Sequence, residues 1–171
     1  MQIAFVAATG RGHADRMLAE VAAMLIADGL ALAGVVQTNV ARAGRSHCDM
    51  DIKVLPDGPV IRINQDLGEA AHGCRLDTGA LESAVAAVEA RFSVPIDLLI
   101  VNKFGKHEAE GRGFRSLIAE AAARGIPVLT AVKGLNQPAF AAFAAGMTEP
   151  LEPTVTAILD WCRAKVRPGM A

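Results

Sequence analysis

Ile3-Ala4-Phe5-Val6-Ala7-Ala8-Thr9-Gly10-Arg11-Gly12-His13 is the stretch that decides the fold. From Ile3 to Ala8 the side chains are apolar without polar alternation, the pattern of a strand covered on both faces within a parallel sheet, so a central strand is expected there. Helical periodicity then runs from His13 to Asp28, with Met17, Leu18, Val21 and Leu25 on one stripe and Gly29 as the stop. Between strand and helix, Gly10 and Gly12 allow backbone N–H groups to converge on an oxyanion, and the positive end of the helix favours negative charge at that spot. The plainer alternative is a tight strand-to-helix turn with no ligand.

Working outward, short β-rich apolar runs alternate with longer Ala-rich segments, which reads as successive βαβ units. Strands are expected at Ala31 to Gln37, Asp97 to Asn102 and Ile126 to Val132, the last two forming a parallel pair joined by a helix over Gly113 to Ala123. Asp49 to Asn64 carries β-rich runs on both sides of Pro56-Asp57-Gly58, an antiparallel hairpin by its turn chemistry. Asp77 is placed to cap a helix reaching Phe92 through Leu81, Val85 and Val88, and further helices are expected at Gln137 to Ala145 and Pro153 to Arg167. No repeat or linker interrupts the 171 residues, so residues 1–167 are expected to form one domain and 168–171 a disordered tail.

Bulk properties narrow the function classes. The formal net charge is -1, which gives no basic footprint for nucleic acid or an anionic membrane surface. Neither a signal peptide nor an apolar run of about 18 residues is visible, so a cytoplasmic location is expected. Cys48, Cys74 and Cys162 are an odd number, which argues against a disulfide framework. The expected partner is a small anionic ligand, with a homo-oligomer left open.

Set against the phosphate-binding pattern G-x-x-x-x-G-K-[ST], the frame Ala7 to Ala14 lacks the first Gly, the Lys and the hydroxyl. His13 replaces the Lys and Ala14 the magnesium-holding hydroxyl. Asp15 suits the helix dipole yet repels a polyphosphate, whereas Arg11 and Arg16 add compensating charge. An oxyanion such as phosphate or molybdate is easier to accommodate than ATP.

Distant segments strengthen the reading. DLLIVNKFGKHE, a helix and GIPVLTAV, preceded by VLPDGPVIRI and GCRLDTGAL, resemble the thermophile-type nucleoside-triphosphatase family of P-loop NTPases. The resemblance implies a three-layer P-loop NTPase-like α/β fold with a mostly parallel sheet and an inserted antiparallel hairpin. It sets Lys106 and Glu108 on the family's GK-x-E, while the carboxylates that order magnesium and water fall on Asn102 and Lys103. An amide and an ammonium there undercut hydrolysis by that mechanism. The strings HCDMD, QDLG, GCRLD and NKFGKHEAEGRG further resemble an uncharacterised bacterial family noted beside molybdate-transport genes, which implies a role in molybdenum supply or sensing. VNKFG lacks the final Asp of a guanine-reading N-K-x-D motif, since Gly105 stands there.

The leading expectation is therefore a degenerate P-loop protein binding an oxyanion or nucleotide without ordinary ATP hydrolysis. Its ligand set is Thr9, Gly10, Arg11, Gly12, His13, Asn102, Lys103, Lys106 and Glu108, with the charged segment Lys103 to Arg115 as one wall and Asn136 at the same edge or capping the next helix. One alternative is a nucleoside-triphosphate hydrolase or phosphotransferase that recruits Glu108 or Asp66. Another is a metal or redox protein using Cys48 and Cys74 with His47 and His72, an inventory suited to a soft metal without a standard zinc spacing. An adaptor whose pocket is only structural is a further reading. Asp49 and Asp51 are expected on a strand's solvent face.

Overall fold

The structure is a computed structural model and describes residues 2–45, 47–68 and 75–166. In chain order the elements are β1 (Ile3–Ala7), α1 (His13–Ala27), β2 (Leu32–Val40), β3 (Asp49–Val54), β4 (Val60–Arg62), α2 (Thr78–Arg91) and β5 (Leu98–Phe104). They continue with α3 (Lys106–Ala109), α4 (Arg115–Ala123), β6 (Val128–Val132), α5 (Gln137–Phe143), β7 (Thr148–Leu151) and α6 (Val155–Lys165). The strands form one seven-stranded sheet in the order β4-β3-β2-β5-β6-β1-β7.

Parallel pairing links β2, β5, β6, β1 and β7 in turn, while β3 and β4 add antiparallel to one side. The hairpin expected around Pro56-Asp57-Gly58 is that β3–β4 unit, with Ile52 opposite Ile61. The parallel pair expected from DLLIVN and IPVLTAV is β5 and β6, with Ile100 beside Leu129. β1 is flanked on both sides, by β6 and β7, as its unbroken apolar run requires.

Helices cover both faces. Met17, Leu18, Val21 and Leu25 of α1 pack with Ile158, Leu159 and Cys162 of α6 against Ala4, Val6, Leu98 and Ile100. On the other face Leu81, Val85 and Val88 of α2, Leu117 and Ile118 of α4 and Phe140 of α5 meet Ile3, Val35, Val101 and Val132. The strand residues alternate between the two cores because consecutive side chains point to opposite faces. Asp77 caps α2 as expected, its Oδ1 accepting from Ala80 N at 3.0 Å. Burial pushes the Cys162 thiol up to about 12, so it is inert packing.

Asp49 does not lie on a solvent face but is 4% exposed, and its Oδ2 accepts from Arg42 Nε at 2.6 Å and pairs with Arg62 at 3.0 Å. Burial alone pushes this carboxyl up, but hydrogen bonds from Arg42 and Asn64 and the charges of Arg42 and Arg62 outweigh it and hold it below the ordinary value. Strand alternation missed this because an inward-facing carboxylate needs cations that arrive from other segments.

Candidate anion-binding cleft

Because β1, β2, β5 and β6 are parallel, their carboxyl ends reach the same edge, the place where open α/β sheets take ligands. Four short segments meet there: the loop after β1, the end of β2, Lys103 near the end of β5, and Lys133 directly after β6. They border a cleft of about 910 Å³, a size that suits a small molecule or nucleotide.

The loop after β1 is shaped by Gly10 and Gly12, which sit at φ 73° and 71° in the left-handed region that glycine enters at no steric cost. Gly12 is the N-cap of α1, and among the described residues no side chain caps that helix. Among the described residues, no protein acceptor takes the amides from Thr9 to Asp15, while Ala8 N just before them donates to Val132 O at 2.9 Å. Orphan amides at a helix start are the element that cradles anions.

Charge around the cleft is mostly positive. Arg11, Arg16, Arg75, Lys103 and Lys133 line it, and among the described residues they face the single carboxylate of Asp15. Arg75 Nε is buried and has no hydrogen-bond partner among the described residues. A bound anion is one acceptor that could satisfy it.

Asp15 is the floor. It is 7% exposed; its Oδ1 accepts from Asn102 Nδ2 at 2.7 Å and its Oδ2 from Asn39 Nδ2 at 2.7 Å. Lys103 Nζ stands 3.8 Å from Oδ1. The two amide groups are themselves oriented, since Asn102 Oδ1 accepts from Gln37 N at 2.9 Å and Asn39 Oδ1 from Gln37 Nε2 at 2.8 Å. The network thus ties the first turn of α1 to β2 and β5.

The sequence pattern of the family described as "Protein of unknown function (DUF2478)" matches residues 3–161. The chain belongs to the DUF2478 family. It is also 38% identical over 149 residues to "Molybdenum import ATP-binding protein ModC 2" of Bradyrhizobium diazoefficiens (strain JCM 10833 / BCRC 13528 / IAM 13628 / NBRC 14792 / USDA 110), a match covering 87% of this chain and 17% of that protein. The DUF2478 chain therefore spans about a sixth of that relative's length. Among solved structures, "Solution Structure of a Human Cancer-Related Nucleoside Triphosphatase" superposes with a TM-score of 0.68 at 16% identity, covering 98% of this chain and 99% of that one. That likeness shows the fold, a P-loop NTPase-like α/β sheet.

Of the ligand set expected from sequence, Gly10, Arg11, Gly12 and Lys103 border the cleft of this DUF2478 member. Thr9 belongs to the same loop, and Asn102 lies behind Asp15. His13 opens α1 and lines a shallower groove of about 440 Å³ with Arg16 and Glu20. Lys106 and Glu108 fall outside the lining. Lys106 is exposed beside Glu110 at 3.7 Å, whereas Glu108 is buried and accepts from Gly105 N at 3.0 Å and Phe114 N at 3.2 Å. The expected wall from Lys103 to Arg115 thus contributes Lys103 alone, because Gly105-x-x-Glu108 closes a local cap and turns the segment away.

The residues recruited in the hydrolase alternative are committed elsewhere: Glu108 to that cap, and Asp66 to Arg42 at 3.2 Å and Arg45 at 2.9 Å. Asn136 stands at the N-cap of α5 without a side-chain cap bond. His47 and Cys48 border the cleft, while His72 and Cys74 lie outside the described residues. Among the described residues no cluster of three or more His, Cys, Asp or Glu side chains is placed to hold a metal, and no helix is long and apolar enough to cross a membrane. The donors expected of a magnesium nucleotide site are also mismatched: Ala14 has no side-chain oxygen, and Asn102 Oδ1 is already taken by Gln37 N.

Asn39, Arg75 and Lys133 are absent from the set expected from sequence. Asn39 and Lys133 share a signal, a polar residue at the carboxyl end of a buried strand, whereas Arg75 has none that spacing reveals. The Glu108 cap carries a stability expectation. Glu108→Ala leaves two amides, one of them buried, without their charged acceptor and should lower the unfolding free energy by about 2–4 kcal/mol in urea titration, given about 1–3 kcal/mol per unsatisfied group.

Proposed function

We propose that the cleft binds an oxyanion or nucleotide on the Thr9–His13 backbone, without ordinary ATP hydrolysis. The observation that carries this reading is the run of loop amides ahead of α1 that no acceptor among the described residues claims, in a cleft that also holds five cationic side chains. Backbone donors fixed in a loop lose little entropy on binding, and the surrounding Arg and Lys raise the local anion concentration.

Ala14, Asn102 and Lys103 stand at the positions that would order magnesium and water, so neither carboxylate of that mechanism is in its place. The relative named for molybdenum import is the reason molybdate is among the oxyanions to be tested.

Calorimetric titration with phosphate, molybdate, ATP and GTP tests the reading. Saturable binding to at least one of them, without magnesium-dependent phosphate release from ATP or GTP, is the expected result. No saturable binding to any of the four refutes it, and steady magnesium-dependent turnover refutes the second half.

A further inference from the structure

We propose that Asp15 makes the cleft select an oxyanion that keeps a proton in neutral water, hydrogen phosphate, over those that carry none, sulfate and molybdate. The inference rests on the anion-binding reading above and names the ligand class of that site.

Among the described residues Asp15 is the one acidic side chain in the lining, and it sits against the loop. A methyl group placed on Gly12 would lie 3.2 Å from Asn39 Nδ2 and 4.0 Å from Asp15 Oδ2. An oxyanion on the loop amides therefore has this carboxylate as a neighbour.

The hydrogen-bond partners of Asp15 are donors. Gln37 N can only donate, so Asn102 must turn its oxygen to Gln37 and its NH₂ to Asp15. Asn39 likewise donates its NH₂ to the other carboxylate oxygen. Each Asp15 oxygen therefore already accepts one N–H. A carboxylate offers about four acceptor positions, and the two amides use two of them. Lys103 Nζ at 3.8 Å is too far to take a third by a direct hydrogen bond.

What remains can only accept. A phosphate hydroxyl donates to it, while an oxygen of sulfate or molybdate presents lone pairs to lone pairs and a charge to a charge. Sites built to hydrogen-bond a ligand hydroxyl reject analogues lacking it by about 10⁴–10⁵ when fully enclosed. This cleft is open to solvent on one side, so a smaller preference, on the order of a hundredfold, is expected.

The test is calorimetry at constant ionic strength with inorganic phosphate, a simple phosphate monoester, sulfate and molybdate, with and without magnesium, on wild type and Asp15→Asn. Wild type should bind phosphate on the order of a hundredfold more tightly than sulfate or molybdate, without needing magnesium, and Asp15→Asn should compress that ratio to a few-fold. Because the Asp15→Asn substitution sets one NH₂ against another, a second measurement uses wild type alone. Affinity for the monoester should rise as pH falls through its second pKa near about 6, where it gains a proton, while sulfate affinity stays flat. Compared at about pH 5, where both carry a proton, tighter binding of the monoester than of inorganic phosphate identifies the esterified group as the natural source; the reverse identifies the free ion. Equal wild-type affinities for phosphate, sulfate and molybdate overturn the role of Asp15 while leaving anion binding intact. Binding that appears only with magnesium also overturns it, since Asp15 would then be serving a cation. Failure of every ion to bind overturns the anion-binding reading itself.

Discussion

Gly34→Ala is expected to destabilise the protein by about 4 kcal/mol or more, enough to abolish folding if the wild type sits at the low end of the usual range of about 5–15 kcal/mol. Gly34 lies inside β2 at φ 113°, and a Cβ there would stand 1.8 Å from the Ile100 carbonyl oxygen of β5. Relief requires β2 and β5 to separate where Gly34 pairs with Ile100, in the middle of the sheet. Overpacking a core costs about 1–3 kcal/mol or more, and forcing an L-residue into a disfavoured backbone region adds about 1–3 kcal/mol. Urea or thermal denaturation of the variant reads the effect directly. A midpoint within error of wild type would mean that the strands do not approach this closely.

The second large effect concerns ligand binding. Lys103 and Lys133 approach the cleft from the ends of adjacent strands β5 and β6, and among the described residues Lys133 has no ion pair and Lys103 only the long contact to Asp15. Lys133 is exposed and Lys103 half-buried. Each lysine that bonds an anion is expected to contribute about 1.5–3 kcal/mol, so the Lys103→Ala/Lys133→Ala double variant should lose at least on the order of a hundredfold in anion affinity with an unchanged denaturation curve. The loss should shrink as salt is raised, because screening already weakens the same interaction in wild type. Unchanged affinity in the double variant would show that Lys103 and Lys133 do not contact the anion.

The parts of this architecture that sequence disclosed are those governed by local pattern. The unbroken run Ile3 to Ala8, the stripe Met17, Leu18, Val21 and Leu25, and the turn Pro56-Asp57-Gly58 each carry their own signal, and the fold follows from their order. β7 does not: Thr148-Glu149-Pro150-Leu151 has a proline and a charge, and its extended form comes from pairing beside β1 at the sheet edge, where a proline is tolerated. β2 runs on past Gln37 to Val40, carrying Asn39 to the cleft, because the polar end of a strand looks like a loop.

The site was legible in the same partial way. Gly10 and Gly12 announce themselves by spacing, and Lys103 by following the best strand. The tie of Asp15 to Asn39 and Asn102 was hidden, since it joins three residues far apart in sequence and only the sheet topology brings them together. Asp15 by itself reads as a helix-dipole residue that repels polyphosphate. Beside two donor amides it becomes the acceptor at the base of the cleft.

The central claim is that the amides of the loop after β1 receive an anion. Its most direct test is amide NMR of the ¹⁵N-labelled protein during titration with inorganic phosphate. Saturable shifts at the Gly10, Gly12 and His13 amides, following one binding curve and absent from residues of β4, are the predicted result. Shifts that fail to saturate, or that fall elsewhere while Gly10 and Gly12 stay still, would contradict it.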